Sequence, residues 1–262
     1  MKPLTQLLTL RVDLWEVLLV LALLGAIAYP RLQEPPGTIT DLEIDAFAHK
    51  YGPLHSTEHE EEWMIRDFFQ DRRSGFFVDI GANHHQKYSK TWYLETQLGW
   101  SGIAVDALRE FAPGYATHRP RTRFFAFYVS DRSDEEVRMH VISRNTTVAS
   151  ADRSFVAQFG EPDRTETVRT ISLNDLLDAE GVTRVDFLTI DIELHEPQAL
   201  AGFDIARFRP SLVCIEALLP VRQQILDYFA RHQYVIDGRY LRADRENLYF
   251  TPLAEPPVRA EP

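Results

Sequence analysis

The stretch Asp191-Ile-Glu-Leu-His-Glu196 puts three carboxylates and an imidazole within six residues. Carboxylates take protons and hold cations, and histidine titrates near neutrality. The group could therefore supply a general base or metal ligands. His195, and after it Glu193, are the candidate bases. A second stretch, Asp79-Ile-Gly-Ala-Asn83, follows an apolar run and is continued by His84 and His85. Gly81 would let a bound molecule approach the backbone closely. A metal held by Asp191, Glu193, His195 and one histidine of the first loop is the alternative chemistry. Adjacent histidines rarely face one ion, and no third histidine lies at short spacing, so no metal is expected.

Such residues need elements to position them. Five short apolar runs read as strands: 76–80, 102–106, 123–129, 185–191 and 211–216. Between them lie stretches of helical spacing. One begins at a Thr57-Glu-His-Glu60 capping box, with the acidic run Glu58 to Glu62 as a solvated helix start. Another runs from Ser89 to Leu98, another covers Ser172 to Asp178, and others start at Pro197 and Val221. The segment from Met139 to Glu166 is polar and poorly periodic, suited to short strands and a mobile loop. Residues 234–237 and 247–251 read as two closing strands. Strands that alternate with helices and lack polar alternation predict an α/β fold with a mostly parallel sheet covered on both faces. Ligands in such sheets bind at the carboxyl ends of the strands. Each of the five strands named first ends in or runs into an acid: Asp79, Asp106, the Ser130-Asp131 pair, Asp191 and Glu216.

A crevice with that rim suits a ribose, whose hydroxyls Asp106 could accept. It does not suit phosphate. Gly81 is followed by Asn83 and His85 instead of further glycines, so the dinucleotide fingerprint is missing, and a nicotinamide dinucleotide is disfavoured. A cationic ribose-bearing ligand without phosphate fits better, and S-adenosylmethionine is one.

Along 56–251 the sequence resembles the FkbM-type methyltransferases, a branch of the class I S-adenosylmethionine-dependent enzymes. The resemblance rests on "RDFFQDRRSGFFVDIGAN", "YLETQLGWSGIAVDA", "TISLNDLLDAEGVTRVDFLTIDIELHEPQALAGFD" and "PSLVCIE". It implies a Rossmann-like, seven-stranded, mostly parallel sheet with an antiparallel last hairpin. It also implies O-methylation of a hydroxyl or carboxyl group on a sugar, lipid or small natural product. By the same resemblance Asp79, Gly81 and Asn83 line the methionine part of S-adenosylmethionine. Asp106 holds the ribose, Ser130 and Asp131 lie near the adenine, and Asp191 and Glu193 form the acidic pair after the fourth strand. His85 and Leu194 stand where the family usually has glycine. A non-catalytic, membrane-anchored binding module on the same fold is the alternative.

Composition bounds the rest. The chain has 262 residues, 45% of them hydrophobic, enough for one sizeable domain with extensions. Its formal net charge of −11 argues against nucleic acid as a partner. Its single cysteine, Cys214, lies in an apolar run and reads as core. Residues 17–29 hold no charge, and 12–30 reach the length of a membrane span. A single-pass N-terminal anchor is therefore expected, with secretion after signal cleavage near Ala26-Ile-Ala28 as the alternative. Residues 1–11 are then a tail, 31–55 a linker, 56–251 the methyltransferase domain and 252–262 a disordered tail.

Overall fold

The computed structural model describes residues 39–244 and 246–253. The chain divides into units 1–46 and 47–262. The described part of the first is the opening of helix α1 (Ile39–Tyr51), a helix inside the stretch expected to be linker. The reason is local: from Thr38 to Tyr51 no proline or glycine interrupts the chain. The expected anchor at 12–30 lies outside the described residues. Among the described residues no helix is long and apolar enough to cross a membrane.

The second unit continues with α2 (Glu61–Phe69), β1 (Phe76–Ile80), α3 (Trp92–Thr96), β2 (Ser101–Asp106), α4 (Ala112–His118), β3 (Thr122–Ala126) and β4 (Tyr128–Ser130). Then come β5 (Glu136–Ile142), β6 (Asn145–Ser150), α5 (Arg153–Val156), β7 (Arg164–Ser172), α6 (Leu173–Ala179) and β8 (Phe187–Ile190). The last elements are α7 (Glu196–Ala201), α8 (Ile205–Phe208), β9 (Leu212–Glu216), α9 (Leu219–Arg231), β10 (Tyr234–Ile236) and β11 (Asn247–Pro252).

Seven strands form one sheet in the order β10-β11-β9-β8-β1-β2-β3. Pairing is parallel from β9 through β3, and β11 runs antiparallel to both β9 and β10. This is the class I methyltransferase-like α/β fold. One sheet face, with Val78, Ile80, Val213 and Ile215, packs on Leu176 of α6, Leu200 of α7 and Phe229 of α9. On the other face Phe69 of α2 meets Trp100 and Phe187 edge-on, at 4.8 and 6.2 Å between ring centroids. Cys214 is fully buried in β9. The chain leaves β1 towards β2 on one side and returns to β8 on the other, so strand order reverses there and the carboxyl ends of β1 and β8 flank the opening.

Four expectations differ from the fold. The short strands expected after Met139 are present, but they join a second, four-stranded sheet of β4, β7, β5 and β6. Alternation hides in it, since Met139 and Val141 are buried and Arg138 is exposed. The run 123–129 breaks at Phe127, with β3 in the large sheet and β4 in the small one. No capping box forms, because the Thr57 hydroxyl donates to the His59 carbonyl at 2.7 Å and α2 begins only at Glu61. Glu61 and Glu62 are buried instead of solvated, and Glu62 accepts from the His55 amide at 3.0 Å.

Candidate active site

The loop after β1 is tied down on both sides. The amides of Gly81 and Ala82 donate to the Val105 carbonyl at 2.9 and 3.0 Å, and the Asp191 amide donates to the Ile80 carbonyl at 2.9 Å. Gly81 has φ of +81°, and a Cβ there would lie 1.7 Å from the Asp191 carbonyl oxygen. No other residue fits this junction. The Asn83 amide donates to Asp106 Oδ2 at 2.9 Å, and the Leu108 amide to Oδ1 at 2.8 Å. Each oxygen keeps a lone pair for a ligand. Burial pushes the Asp106 carboxyl up to about 6, and these two amide bonds only partly offset it.

Asp79 is buried and accepts from the Thr91 hydroxyl at 2.7 Å. Arg119, buried and ion-paired with Glu95, holds Thr91 by both its carbonyl and its hydroxyl at 3.1 Å. Asp191 pairs with Lys90 at 2.8 Å, and Lys90 also donates to Asn247 at 3.2 Å. Burial and then Asp191, Glu196 and Glu246 lift the Glu193 carboxyl to about 8. Glu196 accepts from the Ile192 amide at 2.9 Å, and burial lifts it to about 7.

The strand ends enclose a two-lobed crevice. One lobe is apolar, walled by Ala107, Leu108, Phe127, Tyr128 and Met139 beside Asp106. The other is acidic, with Glu58, Glu61, Asp79, Glu216 and Glu246 around Lys90. Gly81, Asn83, Thr147, Asp191 and Glu193 line both and form the neck between them. Asp79, Gly81, Asn83, Asp106, Asp191 and Glu193 thus share one hollow.

Residues 79–236, more than half of the chain, match the family model of the methyltransferase FkbM domain. The chain belongs to the FkbM methyltransferases. A structure of the FkbM methyltransferase from Methylobacillus flagellatus KT is 17% identical, with a TM-score of 0.45. The match covers 92% of this chain and 62% of that one, so the chain spans less than two thirds of that relative. The O-methyltransferase from Bacillus cereus, solved in complex with SAH, is 12% identical with a TM-score of 0.41, covering 89% of this chain and 97% of its own. The 1,6-didemethyltoxoflavin-N1-methyltransferase of Burkholderia thailandensis is 13% identical with a TM-score of 0.39, covering 85% and 94%. No curated protein matches the chain.

Membership of this methyltransferase family implies S-adenosylmethionine as the cofactor. The crevice offers the Asp106 carboxyl at the end of β2, an apolar slot beside it, and a backbone approach that Gly81 permits. The acidic lobe suits cations and repels phosphate.

Three expected site residues of this FkbM domain stand outside both lobes. Ser130 closes β4, which has left the large sheet, so Phe127 and Tyr128 take the place beside the apolar lobe. Asp131 is exposed and accepts from the Ser130 hydroxyl at 3.2 Å. His195 precedes α7 with Nε2 3.1 Å from the Ser130 hydroxyl and its ring 4.6 Å from that of Tyr128. Burial holds its imidazole down at about 4, with Asp131 opposing weakly, so it is a poor base. It lines a neighbouring hollow, which Glu193 also reaches. The first-loop histidines turn their ring faces to one another: His84 stacks on His85 at 4.1 Å, and His85 on His118 at 4.6 Å. Among the described residues no group of three or more acidic, histidine or cysteine side chains is arranged to hold a metal.

Sequence reasoning did not single out Lys90, Thr189, Thr147 or Glu61. Thr189 was within reach, since it stands two residues before Asp191 and side chains two apart share a strand face. Glu61 and Thr147 arrive from outside the large sheet and carried no periodic signal.

Leu194 has φ of +72°, a left-handed conformation that favours glycine, the residue the resemblance implied there. The leucine packs against the main core and against the cluster Ile142, Val148, Phe155 and Val156 beneath the second sheet. Its left-handed backbone costs about 1–2 kcal/mol. Leu194→Ala keeps that cost and loses the contacts, whereas Leu194→Gly loses the contacts and relieves the strain. The glycine variant is expected to melt at or above the alanine variant, reversing the usual order of about 0.5–1 kcal/mol in favour of alanine. Thermal unfolding of both proteins checks this.

Proposed function

We propose that this domain transfers a methyl group from S-adenosylmethionine to a hydroxyl oxygen on a small molecule such as a sugar, lipid or natural product. Asp106 takes the ribose hydroxyls. Asp79, Gly81 and Asn83 receive the methionine part, and Asp191, fixed by Lys90, lines the neck. Bound there, S-adenosylmethionine supplies an electrophilic methyl group whose carbon–sulfur electron pair stays with sulfur. Glu193 accepts the proton that the acceptor hydroxyl loses as its oxygen bonds to the methyl carbon. A carboxylic acceptor would need no such base, and its charge would be repelled by the acidic lobe.

One observation carries this reading: Gly81, Asp191 and Glu193 line both lobes, so a proton-accepting carboxyl stands where the ribose side and the acidic side meet. Proximity and alignment at such a neck are worth roughly 7–11 kcal/mol of barrier. A methyl-label transfer screen over sugars, lipids and amino alcohols tests the activity; no transfer to any class would sink it. Calorimetric titration tests the cofactor arrangement. Asp106→Ala is expected to weaken S-adenosylhomocysteine binding about 10- to 100-fold, the worth of one or two bonds to a charged acceptor. Equal binding by both proteins would remove Asp106 from the ribose. The 12–30 segment is proposed as a membrane anchor; release of the full chain from membranes by alkaline carbonate would refute that.

A further inference from the structure

The acidic lobe continues past the neck. Strand order runs β2, β1, β8, β9, with neighbouring strands about 4.8 Å apart. Asp106 closes β2, Gly81 follows β1, Asp191 follows β8 and Glu216 closes β9. Glu216 therefore stands two strands, about 10 Å, beyond the β1 loop, on the side away from the ribose carboxylate. It belongs to the stretch of crevice left for the acceptor.

Two polar atoms there lack partners. Glu216 is 8% exposed and its Oε2 makes no hydrogen bond; Thr189 is 1% exposed and its Oγ1 makes none. Both line the acidic lobe. Buried polar groups are nearly always satisfied, so orphaned ones at a cavity wall are free to bond a molecule that enters it. An unpartnered carboxyl oxygen and an unpartnered hydroxyl lining one lobe ask for a ligand with several hydrogen-bonding hydrogens. The charge around them selects its sign. Glu58, Asp191 and Glu246 line the lobe, while Lys90 is already committed to Asp191 and Asn247. Burial first, and then Asp191, Glu193 and Glu196, hold the Glu216 carboxyl well above the usual carboxylate range. A cation arriving beside it would restore the carboxylate and release its proton to solvent.

Building on the methyltransferase reading above, we infer that the acceptor is an amino sugar or similar amino alcohol, whose ammonium group docks on Glu216 and Thr189 while its hydroxyl faces Glu193. The ammonium brings three donors and one positive charge to two unsatisfied acceptors in a negative chamber. A neutral hydroxyl would satisfy the hydrogen bonds but not the charge, and an anionic acceptor would be excluded.

The test uses the full chain loaded with S-adenosylhomocysteine, with glucosamine, glucose and glucuronate as probes followed by saturation-transfer NMR. Glucosamine is expected to bind at least about 10-fold more tightly than glucose, and glucuronate not at all. Glu216→Gln keeps the size of the side chain but cannot ionise, and it is expected to erase the difference between glucosamine and glucose. Thr189→Val, which replaces the unpartnered hydroxyl with a methyl group of similar size, is expected to weaken glucosamine several-fold and provides the check should Glu216→Gln fail to fold. Glucosamine binding no better than glucose, or a preference that survives in both variants, overturns the inference and leaves the methyltransferase reading standing. Failure of S-adenosylhomocysteine itself to bind brings down both.

Discussion

Gly81→Ala is expected to weaken cofactor binding severely and to destabilise the domain. The added methyl carbon would lie 1.7 Å from the Asp191 carbonyl oxygen, at a residue whose φ is +81°. The backbone atoms on the other side belong to the junction of β1 and β8, held by the bond from the Asp191 amide to the Ile80 carbonyl at 2.9 Å. Nothing flexible can yield, so the two loops must separate. The left-handed conformation alone costs a non-glycine residue about 1–2 kcal/mol. Displacing Asp191 adds to it, for a total of roughly 3 kcal/mol, or a fall in melting temperature of about 6–12 °C. S-adenosylhomocysteine affinity should drop by at least about 100-fold, because both lobes meet at this residue. Calorimetry and thermal unfolding measure the two effects. An alanine variant that melts and binds like the wild type would mean that the neck is not where the cofactor crosses.

Glu193→Gln is expected to lower kcat by about 10²- to 10⁴-fold, the usual worth of a positioned general base. The substitution keeps the shape of the side chain and removes its ability to take a proton. The pH profile distinguishes this role from a structural one. Burial and three neighbouring carboxyls raise the Glu193 pKa to about 8, so in the free enzyme most of it is protonated at neutral pH. The active form is the carboxylate. The sign follows: kcat/KM for the cofactor should rise about tenfold per pH unit up to about 8 and then level off. The limb of kcat should lie at lower pH, because a sulfonium at the neck favours the carboxylate. Glu196 and Glu216 titrate in the same cluster, so the observed values belong to the group. A Glu193→Gln enzyme with an unchanged profile would end the assignment of Glu193 as base.

The reach of sequence reasoning differs from one residue to the next. Asp106 was legible because an acid ending a short apolar run is a local pattern, and the parallel sheet carries that local pattern to the crevice. Gly81 was legible for the same reason. Ser130 and Asp131 lie outside both lobes because the apolar run from Arg123 to Val129 reads as continuous while the chain changes sheets at Phe127. His195 lies outside them for a different reason. It follows Glu193 and Asp191 closely in the chain, but the left-handed turn at Glu193 and Leu194 swings the backbone, and the imidazole ends against Tyr128 and Ser130.

The sequence by itself determined the alternation of strands and helices, the acids at the strand ends and, through its four matching stretches, the FkbM family. These depend on the order of residues along the chain, which short-range patterns of burial and turn formation record. Only the tertiary structure decided which acids converge, which carboxyls lose their charge, and which histidine turns away. Those outcomes depend on desolvation and on distances between strands that are neighbours in space and remote in the chain, as Glu216 is from Asp79.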